Sequence, residues 1–211
     1  MVEGLRERKK QETRLALSWA ATRLVVERGY AQVRIEDIAD TADVSLRTFR
    51  NYFSSKAEAV AMAVADRQRQ RVRRIADDLR ARPAGEPLWS AVLAAVEAQF
   101  ALGRDDDGQT PPPPGWLQGL RLMLDEPAMH GEMFRANAEA TATLTAAVAE
   151  RTGTDPQHDV YPELVATVVG AAMGVTMRRW VAADPPVPFA PLLRDVFTRL
   201  AAGLPEPQES P

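Results

Sequence analysis

The chain of 211 residues is long enough for one large domain or two small ones, and its 45% apolar content fits a globular protein rather than a disordered one. No apolar run reaches the roughly 20 residues of a bilayer-spanning helix, no secretory signal follows the charged N-terminus, and without cysteine there are no disulfides or thiolate metal sites, so a soluble cytoplasmic protein is expected. The net charge of −3 is uneven: residues 1–82 hold 18 Lys and Arg against 12 Asp and Glu, a balance of +6, and residues 83–211 hold 8 against 17, or −9, which aims the first part at a polyanion.

Helical periodicity runs almost the whole length. Residues 1–10, with Arg6, Arg8, Lys9 and Lys10, read as a basic N-terminal arm. Over 13–28, Leu17, Ala20, Ala21, Leu24 and Val25 recur at three- and four-residue spacing, and Gly29 stands where a C-terminal cap with positive φ belongs. A short helix is predicted over 35–41, with Ile38 and Ala39 inward and Glu36 and Asp37 in the acid-favouring first turn. The stretch "ADVSLRTFRNYFSSK", residues 42–56, supplies a tight turn and a second short helix. Ser54 or Ser55 then caps a long helix over about 56–82, which "RPAGEP" ends. An apolar helix is predicted over 87–103, and four consecutive prolines in "RDDDGQTPPPPG" forbid its continuation. Helices resume at about 115–125, 127–151, 158–183 and 188–203, and residues 205–211 are too polar and proline-rich to pack. The expected fold is all-α with about nine helices.

At 100° per residue Leu46, Phe49 and Phe53 fall within about 60° of one another, one apolar stripe on the second short helix. Arg47 and Asn51 point the opposite way with Thr48 beside them, Arg50 lies on one flank, and Ser45 and Tyr52 lie on the other. A guanidinium donates two bonds to guanine and a carboxamide pairs bidentately with adenine, so the outward face matches base edges. Tyr52 and Lys56 stand at the helix end, where hydroxyl and ammonium groups position a phosphate backbone. Two short helices joined by a tight turn make a helix-turn-helix, whose second helix enters the major groove. An ordinary hairpin with a solvated polar face has the same pattern; the basic arm and the charge split favour DNA.

The stretch "RLALSWAATRLVVERGYAQVRIEDIADTADVSLRTFRNYFSSKAEAV" resembles the DNA-binding region of the TetR family of transcriptional regulators, over about residues 11–71 with the helix-turn-helix at 34–53. Ala20–Ala21, Gly29–Tyr30, Ile38–Ala39, Val44–Ser45, Thr48–Phe49, Tyr52–Phe53 and Lys56 carry the likeness. It implies DNA contacts from Lys9, Lys10, Arg34, Ser45, Arg47, Thr48, Arg50, Asn51, Tyr52 and Lys56, and a ligand-binding and dimerising domain over 72–204. "SLRTFRNYF" and "LWSAV…LRLMLDEPAM" are similar to an actinobacterial subgroup that binds acyl-CoA-like ligands. The chain departs from the family at Asp43, where Gly is usual, at Arg34, where Ser or Thr usually caps, at Arg50, where an aromatic is usual, and at Leu46. Asp tolerates the left-handed region well enough to keep the turn.

In the second part, Trp89, Phe100, Trp116, Leu120, Met123, Met133, Phe134, Met173 and Met177 are candidates for a pocket between helices, with Asn137, Arg121, Arg135 and Arg178 for a ligand's polar end. Plain core packing explains the same apolar residues. Leu164, Val168, Ala171, Ala172 and Val175, with Phe189, Leu193, Val196 and Phe197, are the candidate dimer interface, since the helix over 158–183 is apolar nearly all round. The basic run "RQRQRVRR" begins roughly 16 Å along the helix from Lys56 and reads as a solvated face. "DDDG" lacks the remaining calcium-loop ligands, and no phosphate loop, nucleophile elbow or dinucleotide fingerprint occurs. No metal, cofactor or enzymatic activity is expected. The expected function is a homodimeric repressor released from a palindromic operator by a small apolar or acyl-type effector. The alternatives are an activator of the same fold, or a helical small-molecule binder without an operator.

Overall fold

The computed structural model describes residues 2–101, 121 and 124–204, without the side chains of residues 2–7, 100 and 101. Among these are eight α-helices and no strand: α1 Val2–Arg28, α2 Ile35–Thr41, α3 Leu46–Tyr52, α4 Lys56–Ala81, α5 Leu88–Ala101, α6 Pro127–Thr152, α7 Tyr161–Ala182 and α8 Phe189–Ala201, with a 3-10 turn at Tyr30–Gln32. The basic arm is not a separate segment: α1 begins at Val2 and carries Lys9 and Lys10 exposed on its first turns. Residues 5–12 hold neither Gly nor Pro, and Leu, Arg, Glu, Lys and Gln are good helix formers, so α1 extends beyond its apolar stripe and carries Gly4 in its first turn. The helix expected over 115–125, the proline loop and the tail at 205–211 lie outside the described residues, save Arg121, Leu124 and Asp125.

The chain forms two compact units, Met1–Gln68 with Gly115–Ala136 and Arg69–Pro114 with Asn137–Pro211. In the first, Leu17, Ala21 and Leu24 of α1, Ile38 and Ala39 of α2, Phe49 and Phe53, and Val60 of α4 form one buried cluster, joined by Met129 of α6. The period-3.6 pattern of each helix puts these residues on the face that meets the others. Phe49 and Phe53 have ring centroids 5.8 Å apart, and the Arg14 guanidinium lies 5.7 Å from the Phe53 ring.

In the second unit, α8 packs on both α5 and α7. Trp180 meets Phe189 edge-on at 5.2 Å and donates its indole N–H to the Val187 carbonyl at 3.0 Å, which satisfies its one donor. Arg69 bonds Glu139 and Arg80 bonds Glu150, the partners 70 residues apart in each pair. A constant difference, rather than a constant sum, means that α4 and α6 run in the same direction here. The Arg151 guanidinium then donates to the carbonyls of Leu79, Arg82, Pro83 and Glu86 at 2.8–3.2 Å, supplying the partners that the end of α4 lacks. Ala172, Phe189, Leu193 and Phe197, expected at a dimer interface, are at most 6% exposed and belong to this unit's own core. A helix with apolar residues on more than one face first fills its intramolecular side, and the sequence does not say which side that is.

Candidate nucleic-acid interface

The α2–turn–α3 segment is built by backbone bonds. Asp43 takes φ 54°, and Ala42, Asp43 and Val44 donate to the carbonyls of Ile38, Asp40 and Ala39 at 3.0–3.1 Å, which closes α2 and starts the turn. Asp43 thus occupies the left-handed conformation that the sequence anticipates for it. Arg34 lends no side-chain cap to α2; Asp37 accepts instead from the Arg34 backbone N–H at 2.9 Å. Ser45 caps α3, its hydroxyl accepting from the Thr48 N–H at 3.0 Å and meeting the Thr48 hydroxyl at 2.9 Å. Ser55 receives the Glu58 N–H at 3.2 Å, and Glu58 receives Ser54, so both serines hold the start of α4.

Phe49 is fully buried and anchors α3, while Arg47, Arg50 and Asn51 are exposed, and no hydrogen bond or ion pair engages them among the described residues. Two guanidinium groups and a carboxamide with free donors thus share the outer side of one short helix. Arg34 is exposed at the start of α2. Thr48 and Tyr52 are half-buried, Tyr52 packing against the apolar cluster. Lys9 and Lys10 are exposed on α1.

Lys56, expected at the phosphate backbone, also has partners within the chain. Half-buried, it donates to the carbonyls of Tyr30 and, at 2.9 Å, Val33, and it lies 4.1 Å from the Tyr30 ring centre. Burial draws its ammonium below the usual lysine range, against the pull of the Glu126 carboxylate. The Tyr30 hydroxyl donates to Glu126 at 2.9 Å, and burial followed by that bond pushes the phenol well above its ordinary range. Sequence reasoning missed this cluster, because Tyr30 and Glu126 are 96 residues apart. It missed Arg14 too, whose place over Phe53 follows from helix crossing and not from spacing.

The pocket candidates do not converge. Trp89, Met173 and Met177 are half-buried in the second unit, Asn137 and Arg178 are exposed there, and Arg135 pairs with Glu132. Phe134 is 77% exposed, and Met133 packs against the core of the first unit. The side chain of Phe100, and Trp116, Leu120 and Met123 altogether, lie outside the described residues, and Arg121 is exposed. An open groove of about 670 Å³ lies instead in the first unit, lined by Trp19, Arg23, Val26, Thr41 and Arg67 among others. Among the described residues, no three His, Cys, Asp or Glu side chains cluster as metal ligands.

On the outer side of α7, Leu164 is 57% exposed and Tyr161 41%, with Ala171 and Val175 also exposed and Val168 half-buried. This is an apolar stripe at helical spacing. Val196 on α8 is half-buried.

Residues 19–61 match the family model for bacterial regulatory proteins of the tetR family, and residues 86–205 match that of the MftR C-terminal domain. The HTH-type transcriptional regulator TcmR of Streptomyces glaucescens is 32% identical over 179 residues, 84% of this chain and 76% of that protein. A TetR-family transcriptional regulator from Mesorhizobium loti has the same fold, with TM-score 0.60 and 17% identity over 92% of this chain and 96% of that one. So does the Thermus thermophilus repressor FadR in complex with lauroyl-CoA, with TM-score 0.57 and 22% identity over 94% and 98%.

Proposed function

Given that the chain belongs to the TetR family of bacterial transcriptional regulators, we propose that it acts as a homodimeric repressor that an effector bound in the second unit releases from a pseudo-palindromic operator. The outer side of α3 carries this reading: Arg47, Arg50 and Asn51 stand exposed and unpaired above a helix that buried Phe49 fixes in place. One short helix reaches few base pairs, so a second copy related by a two-fold axis supplies the remaining affinity and makes the operator an inverted repeat. The apolar stripe Tyr161, Leu164, Val168, Ala171 and Val175 on α7 is the surface that joins the two copies.

Repression is relieved when the effector binds best to a dimer whose α3 copies are wrongly spaced for the duplex. Operator affinity then falls by the difference in effector binding between the two spacings, about 1–3 kcal/mol. The helices α4 and α6 each contribute residues to both units, which makes them the natural carriers of that difference. A structure of the same fold holds lauroyl-CoA and another stearoyl-CoA, so acyl-CoA thioesters are the first effector class to assay.

The test is a fluorescence-anisotropy titration of the protein on the DNA upstream of its own gene, with and without lauroyl-CoA. Sequence-dependent binding that survives moderate salt and weakens with the thioester supports the proposal. Weak binding that is equal on every sequence and vanishes in moderate salt is nonspecific attraction and contradicts it.

A further inference from the structure

Lys56 opens α4, four residues beyond Tyr52 at the end of α3, where a cation meets the unfavourable positive end of the helix dipole. Its ammonium turns instead to the carbonyls of Tyr30 and Val33, with the Tyr30 ring 4.1 Å away. An ammonium has three donors, and this arrangement uses two on carbonyls and places the cation against an aromatic ring. Both carbonyls belong to the segment that leads into Ile35, the first residue of α2. Lys56 therefore closes the helix-turn-helix, joining the strand of chain before α2 to the residues just after α3. The Tyr30 hydroxyl extends the link to Glu126, which immediately precedes α6.

We propose that Lys56 is a positioning residue and not a phosphate contact: with Tyr30 and Glu126 it fixes α2 against α3, and so sets the angle at which Arg47 and Asn51 meet the base edges. The inference rests on the DNA-reading function proposed above. A phosphate-binding lysine keeps its ammonium toward solvent, where it condenses with the backbone and releases a counterion. Here moving the ammonium to a phosphate would leave two carbonyls without partners.

The test measures binding against salt for wild type, Lys56→Met and Tyr30→Phe on two probes. One is a mixed-sequence duplex of about three helical turns, and the other is a duplex of that length enriched by selection from a random pool. For Lys56→Met the expected slope of log affinity against log salt equals that of wild type on both duplexes. The preference for the selected duplex falls on the order of tenfold, the weight of one base contact. A slope lower by about 0.9 on both duplexes is the signature of one lost phosphate contact and overturns the proposal. Tyr30→Phe changes no charge and keeps the carbonyl and the ring beside the ammonium but removes the hydroxyl bond to Glu126, so a loss of preference in the same direction with an unchanged slope is expected; a preference equal to wild type overturns the assignment. Thermal melts accompany each variant, and should Lys56→Met not fold, Tyr30→Phe decides. Wild-type binding without any preference refutes the operator-reading function, while the slope for Lys56→Met on the mixed duplex still decides the role of Lys56.

Discussion

Arg47 and Asp43 set the two residue-scale expectations. Arg47 is exposed, unpaired and on the side of α3 opposite Phe49. Arg47→Ala is expected to cost about 1–3 kcal/mol of operator affinity, concentrated at one base-pair position. Titrations against single-base operator variants check this, since a loss spread evenly over all of them places Arg47 on phosphate. Asp43 holds φ 54° in the turn. Asp43→Gly is expected to leave stability unchanged or raise it slightly, whereas Asp43→Val is expected to lower it by about 1–2 kcal/mol in a urea melt, because a β-branched side chain resists the left-handed region. At this scale the sequence was readable where a residue's role depends on its near neighbours. The periodicity of "SLRTFRNYF" placed Phe49 inside and Arg47, Arg50 and Asn51 outside. It did not show the bonds of Lys56, whose carbonyl partners lie 26 and 23 residues away.

At the scale of elements, the second unit is held by ionic contacts between α4 and α6 as well as by its apolar core. Arg151 alone serves four carbonyls where α4 ends. Arg151→Ala removes this donor, leaving only the Pro83 carbonyl with another partner, the Glu86 N–H, and is expected to destabilise the protein by about 2–4 kcal/mol, measured as a fall in thermal midpoint. Arg80 grips Glu150 with two bonds and holds its carboxyl below the ordinary glutamate range. A lowered folded-state pKa means that the bridge's contribution is complete above the unfolded value and is lost as pH falls through the folded one. Melts of wild type and Glu150→Gln are therefore expected to differ at neutral pH and to converge below about pH 4. Curves that stay equally separated down to acid would put the difference elsewhere. The helices themselves were readable from their 3.6-residue period, to within a few residues at most ends. The ladder between α4 and α6 was not, because exposed Arg and Glu read as a solvated face until two helices are laid side by side.

At the scale of the whole molecule, the expectations concern the assembly of copies and the DNA they select. Leu164, Val168, Ala171 and Val175 of the exposed stripe were expected at the interface, and Tyr161 joins them; the other expected residues, apart from half-buried Val196, are used within the chain. Replacing Leu164 and Val175 together by Glu is expected to give monomers in sedimentation velocity and to reduce operator binding far more than binding to mixed DNA. Monomers that still bound the operator as wild type does would separate assembly from reading. The likeness of residues 11–71 to a known family came from their motifs, while "LWSAV…LRLMLDEPAM" pointed only to a class of acyl-CoA-like ligands, and the apolar residues around it do not single out one effector. The most direct measurement is selection and sequencing of the fragments that the protein retains from random DNA. Two-fold reading by α3 predicts an enriched inverted repeat whose half-site centres are about one helical turn apart. An enriched pool without any repeated half-site, or no enrichment at all, would contradict it.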